Sequence, residues 1–453
     1  MDTLTAERSA GPAAPAAPPF AVRGVVEGFY GPPYTFPERD DLIAWMGRRG
    51  LNCYLYGPKN DRQHRNRWRE PYPAAVLAQF AATARGAAAA GVTFAYALSP
   101  SVSICYSDPA DFALVRAKLG ALFDVGVRAF SLFFDDITPA FRHEADGRAF
   151  SSFAAAHADL SARTLAWLRG LDPACTLSVC PTDYYGPPPF SPYLRDLGRL
   201  LPPAVDLFYT GAAICAPTIG VAEARAFAEA TGRPPLIWDN YPVNDLGMRP
   251  ELHLGPLTGR DPALAQATRG LLLNPMLQAE ASKVALATGA EFLSDPAGYR
   301  PEAAWLRALD EVAGPESMGH LLRFAEHTLR SDLGGENSAL LGALAAGALA
   351  ALRAGERFSA SPAVARLRAH LDALDEASYH LKNRMANLAL RANLLPWIEL
   401  CDVWLDIGKR VALVLEALER GGTDGPALAQ MAELLAEARA HNKRFGARVL
   451  EPL

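Results

Sequence analysis

The pattern of apolar positions divides the chain into two parts. From Val22 onward, short and nearly continuous apolar runs alternate with Ala-, Leu- and Arg-rich stretches whose apolar residues recur every three or four positions. The runs are Gly24 to Tyr30, Leu51 to Tyr56, Val92 to Leu98, Ala129 to Phe134, Thr176 to Cys180, Val205 to Thr210, Pro235 to Trp238 and Gly270 to Asn274. Runs of this kind suit strands buried on both faces, the environment of a parallel sheet. Amphipathic stretches at Pro37 to Arg49, Ala74 to Ala90, Pro109 to Val125 and Phe150 to Leu171 lie between them, and the later crossovers, Ser191 to Leu201 and Asp261 to Thr268, are shorter and richer in Pro and Gly. Eight such units over about 270 residues predict an α/β fold, a (β/α)8 barrel spanning residues 22–298.

Beyond Gly298 only helix is predicted, at Pro301 to Ala313, Met318 to Leu329, Ala339 to Arg353, Pro362 to Asn393, Pro396 to Arg420 and Pro426 to Ala447. Short Gly, Pro and Ser breaks separate these segments, so residues 299–453 read as a helical bundle domain. Residues 1–21 are Pro/Ala-rich and lack a basic stretch followed by an apolar one, which reads as a disordered tail rather than a secretory signal. No run is long enough to cross a bilayer, and a cytoplasmic protein is expected.

A barrel enzyme gathers its site from the loops that follow the C-terminal strand ends. Polar and aromatic residues stand there repeatedly: Gly28-Phe29-Tyr30-Gly31, Gly57-Pro58-Lys59-Asn60-Asp61, Asp135-Asp136, Pro181-Thr182-Asp183-Tyr184-Tyr185, Thr210-Gly211, Trp238-Asp239-Asn240 with Asn244-Asp245, and Asn274-Pro275. Turn chemistry accounts for some Gly, Asn and Asp. It does not account for Lys59, Tyr184 or Trp238.

With 50% hydrophobic and 21% charged residues, the 453-residue chain can build a sizeable core. Its formal net charge of -5 gives no electrostatic ground for a nucleic acid or an anionic membrane as partner. The six cysteines form no C-x-x-C pair and the nine histidines no H-x-H or H-E-x-x-H, so neither metal site nor cofactor is expected. A rim of Trp, Tyr, Asn, Asp and Lys without a metal set suits a neutral polyhydroxylated ligand such as a sugar.

Glycoside hydrolysis normally uses two carboxyl groups flanking the scissile bond, about 5 to 9.5 Å apart. Asp135 and Asp136 are chain neighbours, with Cα atoms about 3.8 Å apart, and are poorly placed to straddle an anomeric carbon. A 2-acetamido sugar removes the difficulty, because its own carbonyl oxygen can attack C1. One Asp would then polarise the acetamido N–H while the other protonates the leaving oxygen and later activates water. Like-charge proximity should raise at least one carboxyl pKa, as an acid role requires. A non-catalytic glycan-binding barrel and an Asp-dependent metal hydrolase are the other readings of these residues.

Over essentially the whole barrel the chain resembles glycoside hydrolase family 84, the β-N-acetylglucosaminidase and O-GlcNAcase family. The resemblance rests on Val25-Val26-Glu27-Gly28-Phe29-Tyr30-Gly31, on Tyr54-Leu55-Tyr56-Gly57-Pro58-Lys59-Asn60-Asp61 with Trp68-Arg69-Glu70, on Phe134-Asp135-Asp136-Ile137, and on Trp238-Asp239-Asn240 with Asn244-Asp245. It implies a retaining exo-β-N-acetylglucosaminidase acting on GlcNAc-terminated glycans or glycoproteins through an oxazoline, with hyaluronidase-type activity as an alternative. By the same resemblance Asp135 polarises the acetamido group and Asp136 is the general acid/base. Gly28, Lys59, Asp245 and Asn274 would hold hydroxyls, with Asn240 near the acetamido group. Cys180, Tyr184, Thr210, Ile214 and Trp238 would line the N-acetyl pocket beside Tyr30. Two positions depart from the family pattern: Asn60 stands where an Asp is usual and Gly57 where an Ala is usual. For the helical part the sequence leaves three roles open: closing the cleft, buttressing the barrel or forming a homodimer.

Overall fold

The computed structural model describes residues 19–446. Its eight strands are β1 (Val22–Glu27), β2 (Cys53–Tyr56), β3 (Thr93–Leu98), β4 (Ala129–Phe133), β5 (Thr176–Cys180), β6 (Val205–Tyr209), β7 (Leu236–Asp239) and β8 (Gly270–Leu273). They pair in sequence order, all parallel, and the ring closes where β1 meets β8, with Val22 opposite Gly270. Every predicted run therefore becomes a strand. The largest difference is at β1, where Gly28, Phe29 and Tyr30 lie past the strand end, in the loop above it.

Successive strand residues point to opposite faces, and two separate hydrophobic clusters result. Inward residues Val26, Leu55, Ala97, Phe133, Phe208, Trp238 and Leu272 fill the barrel. Their outward neighbours Val25, Tyr54, Tyr96, Leu132 and Phe134 join the larger core under the helices. A fully buried side chain of this size contributes about 1.5–3 kcal/mol, which is why these inward and outward positions carry apolar side chains.

Around the barrel run α1 (Phe36–Arg48), α2 (Ala74–Ala89), α3 (Pro109–Asp124), α4 (Glu144–Ala149), α5 (Phe153–Leu171), α6 (Pro192–Leu200), α7 (Val221–Thr231) and α8 (Ala279–Ser294). The stretch predicted as Phe150 to Leu171 begins three residues later, because Ser152 caps α5 by accepting from the Ala155 N–H at 3.1 Å. The α8 segment is buried almost all round, so it has no polar face for a periodicity to reveal.

The helices that follow are α9 (Pro301–Ala313), α10 (Pro315–Ala325), α11 (Ala339–Arg353), α12 (Pro362–Asn383), α13 (Leu388–Glu419) and α14 (Gly425–Ala440). Several predicted boundaries move. The helix predicted from Met318 starts instead at Pro315, after Gly314 at φ 80°. The break predicted near Pro396 lies instead at Arg384 to Asn387. Asn387 caps α13 by accepting from the Leu390 N–H at 3.0 Å, and its amide donates to Glu280 at 2.7 Å. Pro396 then sits inside α13, where burial of Leu394, Trp397, Ile398 and Cys401 offsets its missing N–H. The helix predicted to Ala447 ends instead at Ala440, where His441 turns extended; most of the predicted tail falls outside the described residues.

One connection departs from the repeat. Between β7 and β8 the described chain has only 3-10 turns, at Leu246–Met248 and Pro262–Gln266. The later helices cover the gap. Trp305 of α9 donates to the Leu254 carbonyl at 2.7 Å, and Trp397 of α13 and the Arg444 N–H both donate to the Pro250 carbonyl at 2.9 Å.

Candidate active site

The end of β4 explains how neighbouring acids reach one side. Phe133 points into the barrel and Phe134 out of it, where its ring stacks on His157 at 4.0 Å, so Asp135 points inward again. It is 4% exposed. Asp136 would face outward if the strand continued. Its φ of 52° turns the chain, and the carboxylate reaches the mouth of the barrel instead. A left-handed backbone at a residue other than Gly is uncommon, and Asp tolerates it better than most side chains.

Asp135 is paired with Lys59, which is 5% exposed and lies 5.0 Å above the Phe133 ring and 5.5 Å above that of Trp238. The other carboxylate oxygen, Oδ1, is buried and has no hydrogen-bond partner among the described residues. Asp136 accepts from the Tyr30 hydroxyl at 2.7 Å through Oδ2 and from the Tyr184 hydroxyl at 2.9 Å through Oδ1. Arg65 donates to the Tyr30 oxygen at 2.8 Å and to the Asp136 backbone carbonyl at 3.1 Å. Burial pushes the Asp136 carboxyl up, but the charge of Lys59, the two phenol donors and Arg65 outweigh it, and its pKa lies below the ordinary Asp value. The rise expected from two adjacent acids is therefore not found at Asp136, because cation and hydroxyl donors surround the pair.

The remaining rim residues form a second network. Asn274 accepts from the Gly28 N–H at 3.2 Å and donates to Asn240 at 2.9 Å; Asn240 Oδ1 also accepts from the Trp238 indole at 2.8 Å. Asn240 donates in turn to the Ile214 carbonyl at 2.7 Å. Asp245 accepts from the Tyr30 N–H at 2.6 Å, and its pKa is raised, by burial first and by Asp136 after it. Thr210 donates to the Ala213 carbonyl at 3.0 Å and its N–H to Tyr184 at 2.9 Å. Cys180 lies inside the barrel cluster with Tyr184 and Trp238. Only Ile214 stands apart by side chain: it is 45% exposed, and its backbone makes the contact with Asn240.

A family model described as beta-N-acetylglucosaminidase matches residues 23–326. The chain belongs to the beta-N-acetylglucosaminidase family. Protein O-GlcNAcase of Rattus norvegicus and that of Mus musculus are each 36% identical over 273 residues, 58% of this chain but 29% of theirs. The chain thus spans less than a third of the length of these curated relatives. Among solved structures, a mutant O-GlcNAc hydrolase of Thermobaculum terrenum superposes with a TM-score of 0.88 at 31% identity, covering 96% of this chain and 93% of that one. CpGH84B gives 0.82 at 26% identity, covering 96% and 76%.

Within this family of glycoside hydrolases, the two departures noted in the sequence sit in different settings. A Cβ on Gly57 would lie 2.5 Å from the Phe133 ring, so glycine leaves room for the ring beneath Lys59. Asn60 is exposed, whereas Asp61 accepts from Tyr56 at 2.7 Å, Tyr72 at 2.5 Å and the Gln63 N–H at 2.8 Å, shaping the turn that carries Lys59. Glu27 of the first motif is likewise structural, buried against Arg39 at 2.8 Å and Tyr54 at 2.5 Å. Arg65 escaped the sequence reading. It lies among Arg62, Arg67 and Arg69 in one turn-rich loop, and spacing does not single it out.

Gly28 faces the Trp238 ring so closely that an added Cβ would lie 2.1 Å from Cζ2. Gly28→Ala is therefore expected to cost about 1–3 kcal/mol of stability as the indole is displaced. Denaturant melting checks this; an unchanged midpoint would mean that the ring yields freely.

Proposed function

We propose that this chain is a retaining exo-β-N-acetylglucosaminidase that removes terminal GlcNAc by substrate-assisted catalysis, with Asp135 and Asp136 as its catalytic residues. One observation carries the reading: Asp135 has one oxygen tied to Lys59 and the other, Oδ1, buried without a donor among the described residues. A buried acceptor left without a partner is costly, and an acetamido N–H is the donor that would complete it. In this scheme Asp135 draws on the N–H while the amide oxygen bonds to C1. The C1–O bond to the aglycone breaks, and the Asp136 proton goes to the departing oxygen. Water then bonds to C1 as Asp136 takes its proton, the oxazoline opens, and configuration is retained.

Gly28, Lys59, Asp245 and Asn274 are assigned to the sugar hydroxyls. Tyr30, Cys180, Tyr184, Thr210, Ile214, Trp238 and Asn240 are assigned to the N-acetyl side. A protein-linked sugar is the proposed substrate, on the strength of relatives named as O-GlcNAcases. The test is hydrolysis of 4-nitrophenyl β-N-acetylglucosaminide and of its N-fluoroacetyl analogues. Rates should fall as fluorine lowers the basicity of the amide oxygen; rates indifferent to the acyl group would count against participation.

A cytoplasmic setting is proposed with it, on six free thiols and no described helix long and apolar enough to cross a membrane. We also propose a homodimer through the later helices. In α11 only Ala348 is buried, Leu340 and Leu349 face solvent, and Leu413 and Leu418 of α13 are exposed as well. A monomer mass in light scattering would dismiss the dimer.

A further inference from the structure

We propose that Arg65 is the positioning residue of the acid/base, fixing Asp136 by two routes at once, through its backbone carbonyl and through the hydroxyl of Tyr30. The inference rests on the reading of Asp136 as the acid/base and extends it to a residue outside that set. Arg65 is 7% exposed, and its guanidinium also lies 5.5 Å above the Tyr30 ring.

The direction of the hydrogen bonds follows from donor count. A guanidinium has donors only, and a phenol has a single proton. Because Arg65 donates to the Tyr30 oxygen at 2.8 Å, that oxygen must accept, and the one Tyr30 proton is left for Asp136 Oδ2, 2.7 Å away. The second arm of the same guanidinium donates to the Asp136 carbonyl at 3.1 Å. That carbonyl belongs to the residue at φ 52°, whose backbone turn brings its side chain to the mouth. Main chain and carboxylate of residue 136 are thus held against each other by one planar group, a role that a flexible ammonium cannot fill.

Two of the neighbouring arginines have other partners. Arg67 pairs with Glu70 at the surface and Arg69 with Asp111 at 2.6 Å. Nor does the loop depend on the Arg65 side chain. Asp61 ties it to Tyr56 and Tyr72, and the Arg65 N–H bonds to the Asp61 carbonyl at 3.2 Å. Removing the guanidinium should leave a folded loop with a wandering acid.

The test compares wild type, Arg65→Ala and Arg65→Lys in the full chain, on a β-N-acetylglucosaminide with an activated dinitrophenyl leaving group and on one with an alkyl leaving group. Arg65→Ala should lose about 100-fold in kcat/KM on the alkyl substrate, whose oxazoline-forming step needs the proton, and less than about fivefold in kcat/KM on the activated one. Methylguanidinium in the buffer should restore about tenfold of the alkyl-substrate rate to Arg65→Ala and none to Arg65→Lys. Equal losses on both substrates, or an alkyl-substrate loss below about threefold, overturn the inference. A wild type inactive on both substrates defeats the proposed function instead. A carbon-13 titration of the Asp136 carboxyl then still decides, since its midpoint should move up in Arg65→Ala, and identical midpoints overturn the inference without any turnover.

Discussion

Asp136→Ala is expected to lower turnover of an alkyl or peptide-linked N-acetylglucosaminide by about 10²- to 10⁴-fold, the usual contribution of a positioned general acid. An activated aryl leaving group should lose far less in the step that forms the oxazoline, because it departs without a proton. Azide should restore turnover of the activated substrate by entering the vacated space and attacking C1, giving the β-glycosyl azide. The wild type adds a pH signature. A carboxyl held below its usual pKa is ionised through neutral pH, so the fraction carrying the proton in the free protein grows as pH falls. The kcat/KM for a poor leaving group should therefore rise from neutral toward mildly acidic pH, and that for an activated one should not follow it. Full activity of Asp136→Ala on the alkyl substrate would remove Asp136 from the mechanism.

Lys59→Met carries the second large effect, because it acts on stability and chemistry together. The ammonium is the partner of a carboxylate 4% exposed, and deleting one member of a buried pair costs about 3–5 kcal/mol. Asp135 would also lose the contact that orients it, and a displacement of about 1 Å in a catalytic group costs about 10²-fold. Combining Lys59→Met with Asp135→Asn separates the two effects. The double variant should regain much of the lost stability, since no lone charge remains, and regain none of the activity. Thermal melting and an aryl-glycoside assay read both arms. A double variant as unstable as Lys59→Met would place the cost in the packing of the lysine stem over Phe133 rather than in its charge.

The barrel was legible in the sequence because its strands are apolar on both faces and its rim is not. Lys59, Tyr184 and Trp238 stood out for lack of any turn role, and the structure brings all three into one mouth with Asp135 and Asp136. What escaped depended on direction rather than composition. No pattern announces the φ of 52° at Asp136, since Asp is ordinary in turns. Arg65 could not be told from three arginines beside it, because its role lies in where the loop points it. The lowered pKa of Asp136 was hidden for a related reason: chain adjacency suggests repulsion within the pair, and the compensating Tyr30, Tyr184 and Lys59 come from three other segments. Pro396 signalled a helix end, but burial of the surrounding turn prevailed.

The connection from β7 to β8 bears on what can be cut away. Asp245 and Asn240 hang from the stretch of barrel wall that has no outer helix of its own, and Trp305, Trp397 and Arg444 brace that stretch from outside. The C-terminal helices are thus scaffolding for one edge of the proposed sugar pocket. Trimming the protein to its barrel would free the edge that carries these two side chains, and changes in α9 or α13 should be felt as altered substrate affinity well away from where they are made.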